Sequence, residues 1–402
     1  MTASVASAKS SEWERLRRAV SGNALPLAVV DLDALEANVE RLTAPARAGG
    51  KRVRIATKSV RSPALLERIA DAARGVVTGA MAYAAAECPV LVAHGFDDIL
   101  VAYPTVQPSD LACVAAVNGD GATARLIVDC VEHVDAIAQA ARSAGVRIPI
   151  VIDIDVSYRP GGSVHLGVRR SPLREVPDVV ALAERIAARP ELRFDGIMAY
   201  EAQIAGLADG SVATRALKTL SRPGVIETRA AVVAALTERG MAPQIVNGGG
   251  TGSVDANARE AALTEIAVGS GFLASHLFDG YRGLTLRPAA FFALQVVRKP
   301  APGFVTCHGG GLVASGAPAS DRLPMPVYPE GLALLDLEGA GEVQTPLRLP
   351  QGVDLALGDP VFFRHAKAGE LAEHVNEYIL VRGDAAVARA PTYRGLGKCF
   401  LG

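Results

Sequence analysis

The chain has 402 residues, half of them hydrophobic, and its 41 basic and 42 acidic side chains nearly cancel. This composition is typical of a globular protein with a large core, gives no electrostatic reason to bind nucleic acid, and contains no apolar run long enough to cross a membrane. The five cysteines are scattered and form no CxxC pair, and residues 1–11 lack the apolar core of a signal peptide. We therefore expect a cytoplasmic protein with reduced thiols.

Through the first 285 residues, short β-branched runs alternate with Ala-rich amphipathic stretches. The predicted strands are Leu27–Asp31, Val53–Thr57, Gly75–Thr78, Asp98–Ala102, Ala124–Asp129, Ile148–Ile154, Arg193–Ala199, Gln244–Asn247 and Thr264–Val268. The predicted helices include Leu32–Ala44, Pro63–Ala73, Val131–Ala144, Val176–Ala188 and Arg229–Arg239. Such alternation predicts a parallel sheet covered by helices, and the lack of a GxGxxG after the first strand favours a barrel over an open sheet. A (β/α)8 barrel has eight strands, so one of the nine lies elsewhere, most simply the first.

The chain changes character near Leu286. Prolines and glycines become frequent, helical patterns become rare, and short alternating runs appear at Phe291–Val297, Leu332–Leu337 and Glu377–Val381. This pattern predicts a β-rich second domain. The fold class is thus α/β, a TIM-type barrel followed by a C-terminal β domain. We divide it into a segment 1–26, a barrel 27–285 and a β domain 286–402, with the strand 27–31 possibly joined to the β domain.

A lysine ends the first strand that would belong to the barrel. Residues 52–60 indicate a strand with alternating apolar residues that gives way to a loop at Lys58. The carboxyl ends of the strands form the catalytic face of a β/α barrel, and a partly desolvated lysine there can form a Schiff base with an aldehyde cofactor. Taken alone, the stretch favours an ordinary surface lysine, so the assignment depends on the rest of the chain.

Two small-residue turns indicate a phosphate site at the same face. Asn247-Gly248-Gly249-Gly250-Thr251-Gly252-Ser253 follows an apolar strand, and the next strand ends in Gly269-Ser270-Gly271. Glycines let backbone N–H groups approach an anion, and the Thr251 and Ser253 hydroxyls add donors. If the first strand is excluded, these turns follow barrel strands seven and eight, where such barrels commonly bind phosphate. The alternative is that the glycines only make tight turns; no lysine follows them as in a Walker loop.

Polar residues also end the middle strands. Asp153, Asp155 and Arg159 can orient a carboxylate, a phenolate or a ring nitrogen, or Asp155 and Arg159 can form a structural salt bridge. Tyr200 offers a phenol at the same rim or packs the top of the barrel, and Gln203 follows it on the loop. The two aspartates lack a His or Glu at the spacing that a metal site needs.

Other catalytic patterns are weak in this sequence. The seven histidines form no spaced cluster, and His308 and His365, each judged alone, are more typical of structural histidines than of ligands or bases. The sequence has no GxSxG motif, so it does not indicate a serine nucleophile of the hydrolase type. The lysine and the two glycine turns therefore carry the functional interpretation.

This combination resembles the fold-type III pyridoxal-phosphate enzymes, which are alanine racemase-like barrels with a carboxy-terminal β domain. The resemblance is greatest to the branch of D-threonine aldolases and D-serine dehydratases. It is carried by the phosphate turn Gly249-Gly250-Thr251-Gly252, the fifth-strand motif Ile154-Asp155-Val156 with Arg159, the sixth-strand segment Gly196 to Tyr200, and Gly358-Asp359-Pro360-Val361 leading to His365.

The resemblance implies a role for each matching residue. Lys58 would be the Schiff-base lysine, and Tyr200 and Arg159 would contact the cofactor ring. The phosphate would be held by Gly249, Gly250, Thr251, Gly269 and Ser270. His365 would reach the site from the second domain as a catalytic group or a metal ligand. The resemblance also implies that the first strand joins the β domain and that the protein is a homodimer with its active site between subunits.

Three positions differ from the branch pattern. Thr57 occupies the position of the histidine that usually precedes the lysine, and Ala205-Gly206 occupy that of a Gln-His pair. Lys367 occupies the position of the second metal ligand, two residues after His365, and a cation there would repel a divalent metal ion. We therefore do not expect a divalent metal at this position unless Glu370 or another carboxylate supplies the missing ligand.

Together these features predict a pyridoxal-phosphate-dependent lyase that cleaves or dehydrates a small β-hydroxy D-amino acid. Lys58 is the expected base once it is released from the cofactor, with His365 as its partner. A pyridoxal-phosphate-dependent racemase is the alternative, and it needs a second base on the opposite cofactor face, such as a tyrosine from another subunit. A non-catalytic pyridoxal-phosphate carrier is a third hypothesis, but simple carriage would need only the barrel.

Overall fold

The computed structural model describes residues 12–162, 164–367 and 369–401. Residues 1–11, on which the expectation of no signal peptide rests, lie outside the described residues. The chain forms a closed parallel barrel and a larger β-rich sheet, which confirms the predicted α/β fold class. Among the described residues, no helix combines the length and the apolar character needed to cross a membrane.

Eight parallel strands form the barrel. They are β2 (Arg52–Ala56), β3 (Val77–Ala82), β4 (Asp98–Val101), β5 (Thr123–Val128), β6 (Ile148–Asp153), β7 (Leu192–Met198), β8 (Ile245–Gly248) and β9 (Glu265–Val268). The barrel closes where β2 pairs with β9, with Val53 opposite Ile266. Strands such as β6 are buried along their whole length, because the barrel interior covers one face and helices cover the other.

Helices cover the barrel, and one helix precedes β1 among the described residues. They are α1 (residues 12–19), α2 (Leu32–Ala48), α3 (Pro63–Ala72), α4 (Cys88–Ala93), α5 (Pro108–Gly119), α6 (Val131–Ala144), α7 (Val176–Ala187), α8 (Ala202–Ala205), α9 (Val212–Glu238), α10 (Val254–Asn257) and α11 (Ser270–Leu273). The carboxylate of Asp31 caps α2 by accepting a hydrogen bond from the backbone N–H of Ala34 at 3.0 Å. Leu35, Val39 and Leu42 then place a buried stripe on one face of α2, as helical periodicity requires.

A network of ion pairs crosses the barrel interior near the first residues of β4 and β9. Arg54 is 1% exposed and binds Glu265 at 2.7 Å and Asp98 at 2.6 Å. Arg125 joins Asp98 to Asp195, each at 2.7 Å. Because each buried charge has a hydrogen-bonded partner, this layer fills the barrel without leaving an isolated ion. It lies away from the carboxyl ends of the strands, so the catalytic face is built by other residues.

The second sheet contains the first strand of the chain. Its strands are β1 (Leu27–Asp31), β10 (Ala290–Arg298), β11 (Phe304–His308), β12 (Met325–Tyr328), β13 (Ala333–Leu334), β14 (Gln344–Arg348), β15 (Pro360–Arg364), β16 (Glu377–Arg382) and β17 (Ala385–Pro391). Strand β1 lies between β10 and β16, antiparallel to the first and parallel to the second. Leu16 and Val20 pack on this sheet against Phe291 and Phe362. The ninth predicted strand therefore belongs to the β domain, together with the described part of the segment 1–26.

Three of the predicted elements differ most clearly from the structure. Strand β3 starts two residues later than predicted and continues to Ala82, because Gly75 makes a turn at φ +76° and Gly79 packs directly on the Asp98 carbonyl. Helix α9 begins at Val212 rather than near Arg229, and Pro223 lies on its exposed face, where the helix tolerates the lost hydrogen bond. The predicted strand 332–337 is reduced to β13.

Candidate active site

A cavity of about 850 Å³ opens at the carboxyl ends of the barrel strands, and the β domain forms its outer wall. Of the residues predicted to bind a cofactor, all but one line this cavity: Lys58, Tyr200, Gly249, Gly250, Thr251, Gly269 and Ser270. The exception is Arg159. The barrel geometry thus brings the lysine of β2 and the small-residue turns of β8 and β9 to one site, as expected for the carboxyl ends of parallel strands.

Lys58 lies in a short 3-10 turn directly after β2. The buried Thr57 hydroxyl donates a hydrogen bond to the Met81 carbonyl at 3.0 Å and holds this turn against β3. The Lys58 ammonium donates to the phenol oxygen of Tyr103 at 2.8 Å. Tyr103 follows β4 and was not identified from the sequence, although an aromatic residue just after a buried strand was an available signal. The pair aims the amine of Lys58 into the cavity.

The two small-residue turns form one cradle. Gly249 has φ +82°, and a Cβ there would lie 2.8 Å from the Ile266 side chain. A Cβ on Gly269 would lie 2.8 Å from the Ala56 carbonyl oxygen. The Thr251 hydroxyl accepts a hydrogen bond from the Gly271 backbone N–H at 3.1 Å and joins the turns to each other. Side chains at these positions would collide with Ile266 and Ala56, so the glycines are required for the two turns to pack against the neighbouring strands.

A buried carboxylate fixes the shape of the first turn. Glu201, which is 2% exposed, accepts hydrogen bonds from the Gly249 N–H at 3.0 Å, the Ser253 hydroxyl at 3.0 Å and the Asn257 amide at 2.8 Å, and it pairs with Arg229. Burial acts to raise the pKa of Glu201, but the Arg229 guanidinium and these hydrogen bonds lower it overall. The ionised group was missed from the sequence, and Ser253 is held by it instead of lining the cavity.

Arg170, and not Arg159, lies beside Tyr200 in the lining of the cavity. Arg159 pairs with Asp155 and donates to the Ser157 hydroxyl at 3.1 Å, so the structure has the salt bridge that was the alternative interpretation. The Arg170 guanidinium lies 5.6 Å from the Tyr200 ring centroid and lines the cavity. Burial, followed by the charge of Glu201, raises the pKa of the Tyr200 phenol to about 12. Tyr200 is therefore a neutral hydrogen-bonding group near neutral pH.

Comparison with known proteins identifies the family. Residues 30–273 match the family model described as alanine racemase, N-terminal domain. The chain belongs to this family. It is 29% identical over 245 residues to a 3-hydroxy-D-aspartate aldolase of Paracoccus denitrificans (strain Pd 1222), an alignment that spans 61% of this chain and 59% of that relative. It is also 29% identical over 296 residues to a D-threonine aldolase of an Arthrobacter species, which spans 71% of each chain.

Solved structures show the same fold over the barrel and the β domain. The D-threonine aldolase from Filomicrobium marinum superposes with a TM-score of 0.80 and 21% identity, covering 92% of this chain and 95% of that chain. The D-threo-3-hydroxyaspartate dehydratase from Delftia sp. HT23 gives a TM-score of 0.74 and 22% identity, covering 92% and 98%. The predicted membership in the alanine racemase-like barrels is thus confirmed, and the likeness extends beyond the matched domain.

His365, the residue that the family resemblance assigned to the site, does not line the cavity. It is 3% exposed, and within the described residues neither ring nitrogen makes a hydrogen bond of good geometry. Burial, and then the charges of Arg364 and His276, lower the pKa of its imidazole to about 3. Strand β15, which it follows, is buried along its whole length, so the side chain is enclosed by the β domain. We therefore correct its assignment as a catalytic group.

The β domain instead presents Lys367 and Glu370 to the cavity. The Lys367 ammonium donates to the Ser315 hydroxyl at 2.9 Å, and its nitrogen lies 3.8 Å from a Glu370 carboxylate oxygen. No three metal-binding side chains converge around His365 within the described ranges. Elsewhere among the described residues, three potential metal-binding side chains approach one another at the start of α6: Asp129, Cys130 and His133.

A smaller side pocket of about 280 Å³ adjoins the cavity and shares Tyr103, Arg170 and Tyr200 with it. Its floor contains the carboxyl groups of Asp153 and Asp129. Burial, followed by the negative charge of Asp129, raises the pKa of Asp153 to about 7. The fifth barrel strand thus places a carboxyl group beside the site whose charge changes near neutral pH.

Proposed function

We propose that this protein is a pyridoxal-phosphate-dependent lyase that acts on a small β-hydroxy D-amino acid. The observation that carries the proposal is the placement of the Lys58 amine across one cavity from the cradle of Gly249 and Gly269. A lysine for the aldehyde and a cradle for the phosphate are the two anchors that this cofactor needs. The curated relatives named as aldolases of D-threonine and 3-hydroxy-D-aspartate support the substrate class.

The residues present fit the cofactor. Side chains at Gly249 and Gly269 would collide with Ile266 and Ala56, so the glycines let the two turns pack closely at the cavity. The cavity, of about 850 Å³, has room for the cofactor with a small amino acid beside it. Gly249, Gly250, Thr251, Gly269 and Ser270 would hold the phosphate, and Lys58 would hold the aldehyde carbon. When bound, pyridoxal phosphate stabilises negative charge at the substrate Cα.

The chain's own groups would then handle protons around the substrate. Lys58 Nζ, once released, can take or return a proton at Cα, and the Tyr103 phenol keeps that nitrogen in place through the hydrogen bond at 2.8 Å. Tyr200 and Arg170 would orient the ring side of the ligand, in place of the pair Tyr200 and Arg159 that the resemblance implied. From the family resemblance, we also propose that the protein is a homodimer. The five free cysteines support a further proposal, a cytoplasmic location in which thiols stay reduced.

Two measurements test the proposal. Protein purified with pyridoxal phosphate should show the visible absorbance band of the lysine-bound cofactor, and Lys58→Ala should lose it. Lys299→Ala is the matched control, because Lys299 is an exposed lysine that pairs with Asp354 outside the cavity. A band that persists unchanged in Lys58→Ala would contradict the assignment of the lysine.

Analysis of the reaction products then distinguishes aldol cleavage, dehydration and racemisation. Incubation with D-threonine, D-serine and D-3-hydroxyaspartate should give either glycine and an aldehyde, from aldol cleavage, or an α-keto acid and ammonia, from dehydration. Accumulation of the L-isomer alone would establish the racemase alternative. A lysine-bound cofactor without any turnover of these substrates would favour a carrier and refute the proposed lyase.

A further inference from the structure

Lys367 is placed to act on a ligand in the cavity. Its side chain is half exposed, on the wall that the β domain contributes. An ammonium has three N–H donors, and one is used by the Ser315 hydroxyl at 2.9 Å. The Glu370 carboxylate oxygen, at 3.8 Å from the Lys367 nitrogen, is beyond hydrogen-bond distance. Donors of Lys367 therefore remain for a substrate.

The segment that carries Lys367 is anchored on the turn that carries Lys58. Gly369 has φ +89°, and a Cβ there would overlap the Lys58 carbonyl oxygen. The Arg61 guanidinium donates to the same carbonyl at 2.9 Å and pairs with Glu373, just beyond that segment. This direct packing places the two lysines on adjoining walls of one cavity, although they are far apart in the sequence.

The side chains in this region suit the ammonium group of Lys367 and do not suit a divalent metal ion. The position that the family resemblance assigns to a second metal ligand is occupied by the ammonium of Lys367. Glu370, the neighbouring carboxylate, is already engaged by the Ser315 backbone N–H at 3.0 Å and by its hydroxyl. His365 is enclosed, and the positive charge of Arg364 lies beside it. A divalent ion here would meet one engaged carboxylate and a repelling positive charge.

We propose that the Lys367 ammonium acts on the β-oxygen of the substrate in place of a divalent metal ion, and that this enzyme dehydrates its substrate without a metal. The inference rests on the proposed function and selects one of its two reactions. Lys58 Nζ takes the proton from Cα, a Cα–Cβ double bond forms, and the Cβ–O bond breaks. Its electron pair stays on oxygen, which takes a proton from Lys367 Nζ and leaves as water.

The charge state of Lys367 decides between dehydration and aldol cleavage. An ammonium can give a proton to a departing hydroxyl, whereas aldol cleavage must start by removing the hydroxyl proton with a base. After the step Lys367 is a neutral amine, which regains its proton from solvent at the exposed part of its side chain. The α-keto acid and ammonia form when the product hydrolyses, so no further co-reactant is needed.

The test uses the holoenzyme and three variants. Wild-type protein should contain less than about one tenth of a divalent ion per chain by elemental analysis, retain activity after chelation, and show no binding of Mn²⁺ or Zn²⁺ by calorimetry at this site. Lys367→Ala should lower kcat for dehydration by about 100-fold, the usual contribution of a positioned acid, and keep the visible cofactor band. Lys367→Arg should restore the charge but little of the proton transfer. Lys299→Ala should match wild type.

The outcomes separate this inference from the proposed function. A stoichiometric metal whose removal abolishes turnover, or a Lys367→Ala enzyme with wild-type kcat, would overturn the inference while leaving the lyase intact. Glycine and aldehyde as the main products would also overturn it, since they need a base at the β-oxygen. Absence of the visible band, or of any turnover in wild type, would instead show that the proposed function is wrong, and the inference would fall with it.

Discussion

Replacing Glu201 by Gln should weaken both the fold and cofactor binding, because this carboxylate shapes the phosphate turn. Both members of the Glu201–Arg229 pair are at least 98% buried. Removing one charge of a buried pair costs about 3–5 kcal/mol in the free energy of unfolding. The second contact of Arg229, with Glu260 at 2.8 Å, reduces that cost, so we expect the lower end, about 3 kcal/mol.

The effect on the cofactor follows from the hydrogen bonds. Glu201 accepts from Gly249, Ser253 and Asn257, whereas a Gln amide nitrogen is a donor and would face at least one of these donors. A mismatched buried hydrogen bond costs about 1–3 kcal/mol, which corresponds to roughly a 5- to 150-fold weaker affinity for pyridoxal phosphate if the turn has to reorder on binding.

Denaturant unfolding of the apoprotein and titration of the visible band with pyridoxal phosphate measure these two quantities separately. Asp255→Asn is the control, because Asp255 is half exposed and its ion pair with Arg41 is a surface pair that contributes less than about 1 kcal/mol. If Glu201→Gln keeps wild-type stability within about 1 kcal/mol and wild-type affinity, Glu201 does not shape the turn and our account of the cradle is wrong.

Three further changes probe other parts of the site. Tyr103→Phe removes the partner of Lys58 and should lower kcat about tenfold with the visible band retained; an unchanged kcat would remove Tyr103 from the mechanism. Asp153 has its pKa raised to about 7, so the folded state holds a proton that the unfolded state releases above about pH 4. The free energy of unfolding of the wild-type protein, relative to that of Asp153→Asn, should thus fall by a few kcal/mol between about pH 4 and 7. If thermal unfolding of the two proteins has the same pH profile, this prediction is wrong. Gly369→Ala should destabilise the protein by about 2 kcal/mol more than Gly352→Ala, which has a similar positive φ but open space; equal losses would mean that the contact with Lys58 is unimportant.

Local sequence patterns were sufficient for the architecture and for the prediction that Lys58 and the glycine turns lie at one site. Alternation of apolar strands and amphipathic helices predicted the barrel. Because nine strands were predicted and a barrel has eight, the first strand was assigned to the second sheet, where the structure places β1. The glycine turns after β8 and β9 were recognisable because a backbone that must approach a ligand closely excludes side chains. These features depend on residues near in sequence, so no tertiary contact had to be known.

The remaining parts of the site depend on contacts between distant residues. Glu201 acts on the Gly249 turn only because α9 brings Arg229 beneath it, and nothing beside Glu201 in the sequence signals that pairing. Arg159 was assigned to the cofactor because it follows the β6 motif directly. The loop, however, returns at Tyr158 and Leu166, which form a β-bridge, so Arg170, later in the loop, lines the cavity. Sequence proximity is a poor guide wherever a loop folds back.

The contrast between His365 and Lys367 shows why the reaction could not be chosen by resemblance. Both follow β15, yet the histidine is enclosed in the β domain while the lysine, two residues later, lies on the wall of the cavity. Transferring a family role to His365 assumed that its environment was also transferred, although the following ligand position had changed to a cation. Once an ammonium occupies that position, keeping a metal would place two positive charges together. The change at Lys367 is therefore the observation from which we propose a metal-free reaction.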